Sequence, residues 1–282
     1  MARWLITSRW TRRLAASLAA GVAAALLVVV AAEHLGARRL FSRAAAAADR
    51  GDHRLAAALY ADFAERHPAH ELAPEALLRL GRTASLYLDD QDAAIRALRR
   101  LTASAGAGPR AAEAQRLLGE IFETRQGDCR QAIVEYQRLI GLDPDGAGTD
   151  EARLAVARCS FALGEYAQAR TDFEQVLERH PASPLRARAL LGAADCWYVT
   201  GRYPLALQRY REARAAAADP ALAAEAGFGA AAALEESGEL GAALEEFERV
   251  RPTHPNPGLV AARIARIEDR IARRGDRPAA PP

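Results

Sequence analysis

The sequence contains no lysine: all 38 of its basic residues are arginine. Against 36 acidic residues they leave a formal net charge of only +2, so no electrostatic field on the scale that binds nucleic acid is implied. With the excess of alanine, the arginine bias reads as a GC-rich genome rather than as a function. Aromatic residues are 6% of a chain that is 50% apolar, which predicts a core of alanine and leucine with few large anchors. Cysteine is scarce, at Cys129, Cys159 and Cys196, with no CxxC and no Cys/His ligand spacing, which argues against a zinc site. Cys159 and Cys196 read as small buried thiols. A bridge between them would need Cα atoms within about 7 Å, closer than neighbouring helices at about 8–10 Å.

Catalytic signatures are missing too. No serine or cysteine sits on a strand-to-helix turn with a spaced histidine and acid, so no hydrolase pattern exists. The acidic stretch from Asp143 to Glu151 has Ala147 and Leu154 where a calcium loop starting at Asp143 wants an acid or amide and a glutamate. Asp143, Thr149 and Asp150 read as turn and cap residues. His67, His180 and His254 each precede a proline, where histidine meets free helix carbonyls. His67 and His70 are separated by Pro68, which breaks any shared helical face. No metal site and no cofactor are predicted. The pairs Glu235–Glu236 and Glu245–Glu246 read as solvated charge on exposed helix faces.

What is present is a repeat. A small residue recurs at Ala56, Ala94, Ala132, Ala169, Ala206 and Ala243, in steps of 38, 38, 37, 37 and 37. Four residues beyond each stands Tyr60, Leu98, Tyr136, Phe173, Tyr210 or Phe247. A small residue lets two antiparallel helices approach, and the large one a turn later fills their seam. Gly51, Gly127, Gly164, Gly201 and Gly238 mark the turn inside each repeat, where glycine suits the left-handed geometry. Prolines at Pro74, Pro109, Pro184, Pro220 and Pro257 mark helix starts, with Ser183, Asp219 and Asn256 before three of them as caps.

At these residues the chain resembles the tetratricopeptide repeat family, a helix–turn–helix repeat with small residues at the helix crossing and a closing proline. The likeness runs from about Leu40 to Pro255. Leu80-Gly81 and Leu118-Gly119 keep the first-helix signature, replaced by Ala157, Ala194 and Ala231 later. The longer period and the "RHPASP"-type endings look like the envelope branch of the family, the periplasmic proteins of outer-membrane assembly and cell-division coordination. The resemblance implies an all-α solenoid of about six repeats over 33–256, closed by a capping helix at 257–274 with a disordered tail at 275–282.

One long apolar run stands apart. Residues 14–32 carry no charge and follow a basic segment, 1–13, with Arg3, Arg9, Arg12 and Arg13. The length matches a bilayer core. A cleaved signal peptide is the competing reading, since Val30-Ala31-Ala32 offers a cleavage site. A lipoprotein is excluded, because no cysteine follows the run. The expectation is an uncleaved transmembrane helix, with a cytoplasmic N-terminus, inner-membrane localisation and the repeats in the periplasm.

The function expected is a non-catalytic, membrane-tethered scaffold or adaptor for a protein or peptide partner in the cell envelope, with the membrane itself bound through the N-terminal helix. The alternatives are a periplasmic adaptor released by signal cleavage, or a regulatory subunit docking a separate enzyme. By the resemblance, first helices line a concave groove, which puts Arg82, Arg116, Glu120, Arg158, Asp195 and Tyr198 at partner-facing positions. Ordinary solvated positions are the competing reading. The basic carboxylate-clamp pattern of chaperone-binding members is absent.

Overall fold

The computed structural model describes residues 2–104, 109–146 and 148–275, with side chains described from residue 27 to 273 and at Gly21 and Ala25 within those limits. Among these residues it holds helices and no strand. The α-helices are α1 Ala2–Asp49, α2 His53–Arg66, α3 Ala73–Tyr87, α4 Gln91–Ser104, α5 Pro109–Glu120, α6 Cys129–Leu142 and α7 Thr149–Ala162. They continue as α8 Tyr166–Arg179, α9 Arg186–Val199, α10 Tyr203–Ala216, α11 Pro220–Glu236, α12 Leu240–Val250 and α13 Pro257–Gly275. A π-helical turn, Ile121–Arg125, follows α5. The chain divides into two compact units, residues 1–114 and 115–282.

Within each unit the helices pair as the repeat demands. The six periodic alanines are fully buried, and Tyr60, Leu98, Tyr136, Phe173, Tyr210 and Phe247 are buried beside them. Burying one such large side chain contributes about 1.5–3 kcal/mol. Glycines opposite these residues explain how so large a group fits. A Cβ on Gly119 would meet the Tyr136 ring at 2.5 Å, and one on Gly192 would meet Phe173 at 2.2 Å. The direction of insertion differs. Tyr136 reaches back to the first helix of its own repeat, whereas Phe173 and Tyr210 reach forward to Gly192 on α9 and Gly229 on α11.

The five turn glycines all have positive φ, from 65° to 83°. In the α3–α4 turn Asp89 takes that role at φ 53°, with its carboxylate accepting from Gln91 Nε2 at 3.0 Å. The π-helical turn absorbs a residue by i→i+5 bonding, Gln126 N–H to Ile121 O at 3.1 Å, within the 38-residue step from Ala94 to Ala132. The caps form: Asp219 Oδ1 accepts from Ala221 N–H and Asn256 Oδ1 from Leu259 N–H. Ser183 Oγ accepts from Leu185 N–H, but α9 begins two residues beyond Pro184. All three cysteines are free thiols.

The all-α repeat fold agrees with the sequence; the transmembrane helix does not. No helix among the described residues is long and apolar enough to cross a membrane. Of the run 14–32, residues 14–20, 22–24 and 26 lie outside the described side chains, as do the basic segment 1–13 and the tail beyond Gly275. The run ends at Glu33. From there α1 continues unbroken through Arg38 and Arg39, then buries Ala37, Ala44 and Ala47 against α2. The membrane anchor, the membrane as a partner, the tethered function and the inner-membrane localisation are therefore withdrawn.

Two carboxylates also depart from expectation. Glu235 and Glu246 are buried, while only their neighbours Glu236 and Glu245 are exposed. Arg263, Arg266 and Arg270 of α13 converge on Glu235, at 3.2, 2.5 and 2.9 Å. Glu246 binds Arg214 and, at 2.6 Å, Arg249. An apolar face on α13, with Val260, Ile264 and Ile267, packs beside α12.

Candidate functional site

In the second unit the first helices α7, α9 and α11 present one side to a cavity of about 380 Å³. Leu154, Phe161, Leu191 and Leu222 supply its apolar lining, with Arg158, Arg188, Asp195 and Glu225 as the charged groups. The spacing follows from helix geometry. Leu154, Arg158 and Phe161 lie at i, i+4 and i+7 on α7, and Arg188, Leu191 and Asp195 at i, i+3 and i+7 on α9, so each set shares one face. A second depression, of about 220 Å³, adjoins it and shares Leu154, Arg158 and Arg188. It also takes in Arg116, Glu120, Glu123 and Tyr136.

Two ion pairs tie up part of the charge on this face. Arg158 Nη2 donates to Glu123 Oε1 at 2.7 Å, and Tyr136 Oη donates to Glu123 Oε2 at 2.9 Å. Arg116 binds Glu120 within α5. Burial and the Glu123 carboxylate push the Tyr136 hydroxyl pKa up, which keeps it a neutral donor.

Asp195 is different. Its carboxylate accepts from Tyr210 Oη at 2.6 Å, and no arginine among the described residues forms an ion pair with it. Burial raises its pKa to about 6, against the lowering effect of Tyr210 and with a further rise from Glu225. A carboxylate removed from water without a cation is costly. Such a group in a cavity wall favours a cation or hydrogen-bond donor arriving from outside. Cys196, next to it, is pushed up to about 12 by burial and by Asp195, and so is not a reactive thiolate.

Of the six expected groove residues, Arg116, Glu120, Arg158 and Asp195 line these two depressions. Arg82 lies in the first unit, bound to Glu113. Tyr198 packs edge-on to Tyr203, with ring centroids 5.6 Å apart. Glu123, Arg188 and Glu225 were missed. Arg188 was within reach of helical spacing from Asp195, whereas Glu123 sits on the π-helical turn, where a 3.6-residue count slips.

In the first unit, His34, His70 and Glu71 bring their ligand atoms within 4.8 Å of one another. The sequence considered His70 with His67, yet His70 stacks on His34, at 4.5 Å between centroids.

A family model described as Tetratricopeptide repeat matches residues 83–147 and 154–220. No curated protein sequence matches. Among solved structures, the chain is similar to a tetratricopeptide repeat protein from Parabacteroides merdae, at 20% identity and TM-score 0.59, covering 81% of this chain and 85% of that one. It is also similar to PilW, a type IV pilus biogenesis factor, at 17% identity and TM-score 0.54, covering 80% and 98%. A third is YrrB, a protein with an unusual peptide-binding site, at 18% identity and TM-score 0.51, covering 65% and 88%. At these identities the likeness speaks for the fold.

Proposed function

We propose that the chain, which matches the tetratricopeptide repeat model over residues 83–147 and 154–220, is a scaffold or adaptor holding a segment of a partner protein against α7, α9 and α11. Its repeat fold is of the kind typical of non-catalytic interaction proteins. The observation that carries the reading is Asp195: a carboxylate with its pKa raised to about 6, in the wall of a cavity where leucine and phenylalanine stand beside Arg158, Arg188 and Glu225. The complementary segment is an apolar side chain with an arginine or lysine beside it. Kinship with the envelope branch of the family belongs to the same proposal and rests on the long period and the "RHPASP"-type loop.

Peptide display against the full chain tests it. Enrichment of peptides that join an apolar residue to a cationic one is expected, with binding lost in Leu191→Glu and weakened about tenfold or more in Asp195→Asn. A cation facing a poorly solvated carboxylate contributes on the order of 1.5–3 kcal/mol. Selected peptides that bind both variants as well as the wild type would remove the groove from consideration.

A further inference from the structure

We propose that His34, His70 and Glu71 form a binding site for one divalent transition-metal ion of the zinc class, clasping α1 to the loop between α2 and α3. The three residues reach one place from separate parts of the first unit. His34 projects from α1, and His70 and Glu71 lie in the loop before α3. Their ligand atoms lie within 4.8 Å of one another, with His34 Nε2 at 3.9 Å from Glu71 Oε1. Bonds of about 2.0–2.2 Å to zinc put tetrahedral ligand atoms about 3.3–3.6 Å apart. Loading therefore asks for a contraction on the order of 1 Å and a turn of the stacked rings, both available to an exposed His34 and Glu71.

Two further observations fit a metal. His70 Nε2 is buried with no hydrogen-bond partner, and a buried orphan nitrogen calls for an explanation such as an ion. Arg38 Nη2 donates to Glu71 Oε1 at 2.7 Å. That arginine then holds the ligating carboxylate from outside, as outer hydrogen bonds do in metal sites.

Two nitrogens and one oxygen suit zinc, nickel, cobalt or copper; calcium and magnesium prefer all-oxygen sets. Water completes the coordination. Leu72 N–H donates to His70 Nδ1 at 3.1 Å, so the neutral ring carries its proton on Nε2. Coordination at Nε2 requires the other tautomer: water takes the Nε2 proton and returns one to Nδ1, which frees the Nε2 lone pair and leaves the Leu72 amide to water.

The test titrates chelator-treated full-length protein with Zn²⁺ alone, following stoichiometry by equilibrium dialysis, with Co²⁺ as a spectroscopic probe. One ion per chain is expected, with no competition from excess Mg²⁺ and no thiolate band in the cobalt spectrum. His34→Ala and Glu71→Gln should each weaken binding about tenfold or more. His34→Ala is the decisive variant, because its exposed ring leaves folding to other groups, and its melting curve without metal should match the wild type. Absence of stoichiometric binding to the wild type overturns the site, and so does unchanged affinity in His34→Ala.

Discussion

Glu235 and Asp195 are both carboxylates withdrawn from water in the second unit, and the protein treats them in opposite ways. Three arginines from α13 surround Glu235, each within 3.2 Å. Asp195 has one phenol O–H, from Tyr210, and a cavity in front of it. Charge left without a partner in a poor dielectric is costly, and a pair made with good geometry offsets that cost. The first arrangement therefore ties α11 to the terminal helix and leaves nothing to bind. The second keeps an unmet demand for a cation where a ligand has access. On the proposed reading, the contrast separates a closing device from a binding device built of the same functional group.

A third carboxylate, installed where neither device exists, gives the largest effect. Ala206 is fully buried in the cluster of Ala194, Tyr210, Ala230 and Ala233. Ala206→Glu should destabilise the fold by about 3–5 kcal/mol, through overpacking and an unpartnered charge. Denaturant melting of this variant beside Ala169→Glu checks it. Either variant melting like the wild type would mean that the periodic alanines are not seam positions.

Removing Glu235 breaks the closing device. Glu235→Ala should cost about 2–3 kcal/mol, below the value for a fully buried pair because the arginines, 28% to 52% exposed, turn to water. Hydrogen exchange should report the loss mainly in α13 and the end of α11. Uniform loss across the second unit would deny Glu235 that local role.

The seams were legible in the sequence because each depends on residues a fixed distance apart: Ala206 and Tyr210 recur with the period, and so do Gly164, Gly201 and Gly238. The two carboxylates were not. Glu235 looks like Glu236 beside it until α13 folds back with its arginines, 28 to 35 positions later. Asp195 was chosen by register as a groove residue, yet its demand for a cation comes from burial, which no spacing encodes. His34 and His70 meet only because α1 runs past the loop before α3. The apolar run at 14–32 misled in the other direction, since composition alone stood for a bilayer span.

Tyr210→Phe sharpens the contrast by removing the phenol that donates to Asp195. At pH 7 it should cost about 1.5–2 kcal/mol, the range for a hydrogen bond to a charged group. The cost should shrink below pH 6, as the carboxyl group takes up a proton and no longer needs the phenol. A cost independent of pH would assign the loss to packing against Gly229 instead.

Asp195→Asn has the smallest effect and the opposite sign. The carboxyl group titrates at about 6 in the folded chain, and near 3.9 in an unfolded one. Between those values the folded state holds the proton more tightly, so this group's contribution to stability falls as pH rises from 4 to 6, and is constant above. The amide keeps an oxygen to accept from Tyr210 and carries no charge. The variant should therefore gain about 1–2 kcal/mol at pH 7 and lose the decline between pH 4 and 6, as urea melts across that range would record. It should also bind cationic peptides more weakly, a gain in stability at the expense of binding. A variant no more stable than the wild type at pH 7 would mean that Asp195 is already satisfied in the free protein, and the distinction from Glu235 would vanish.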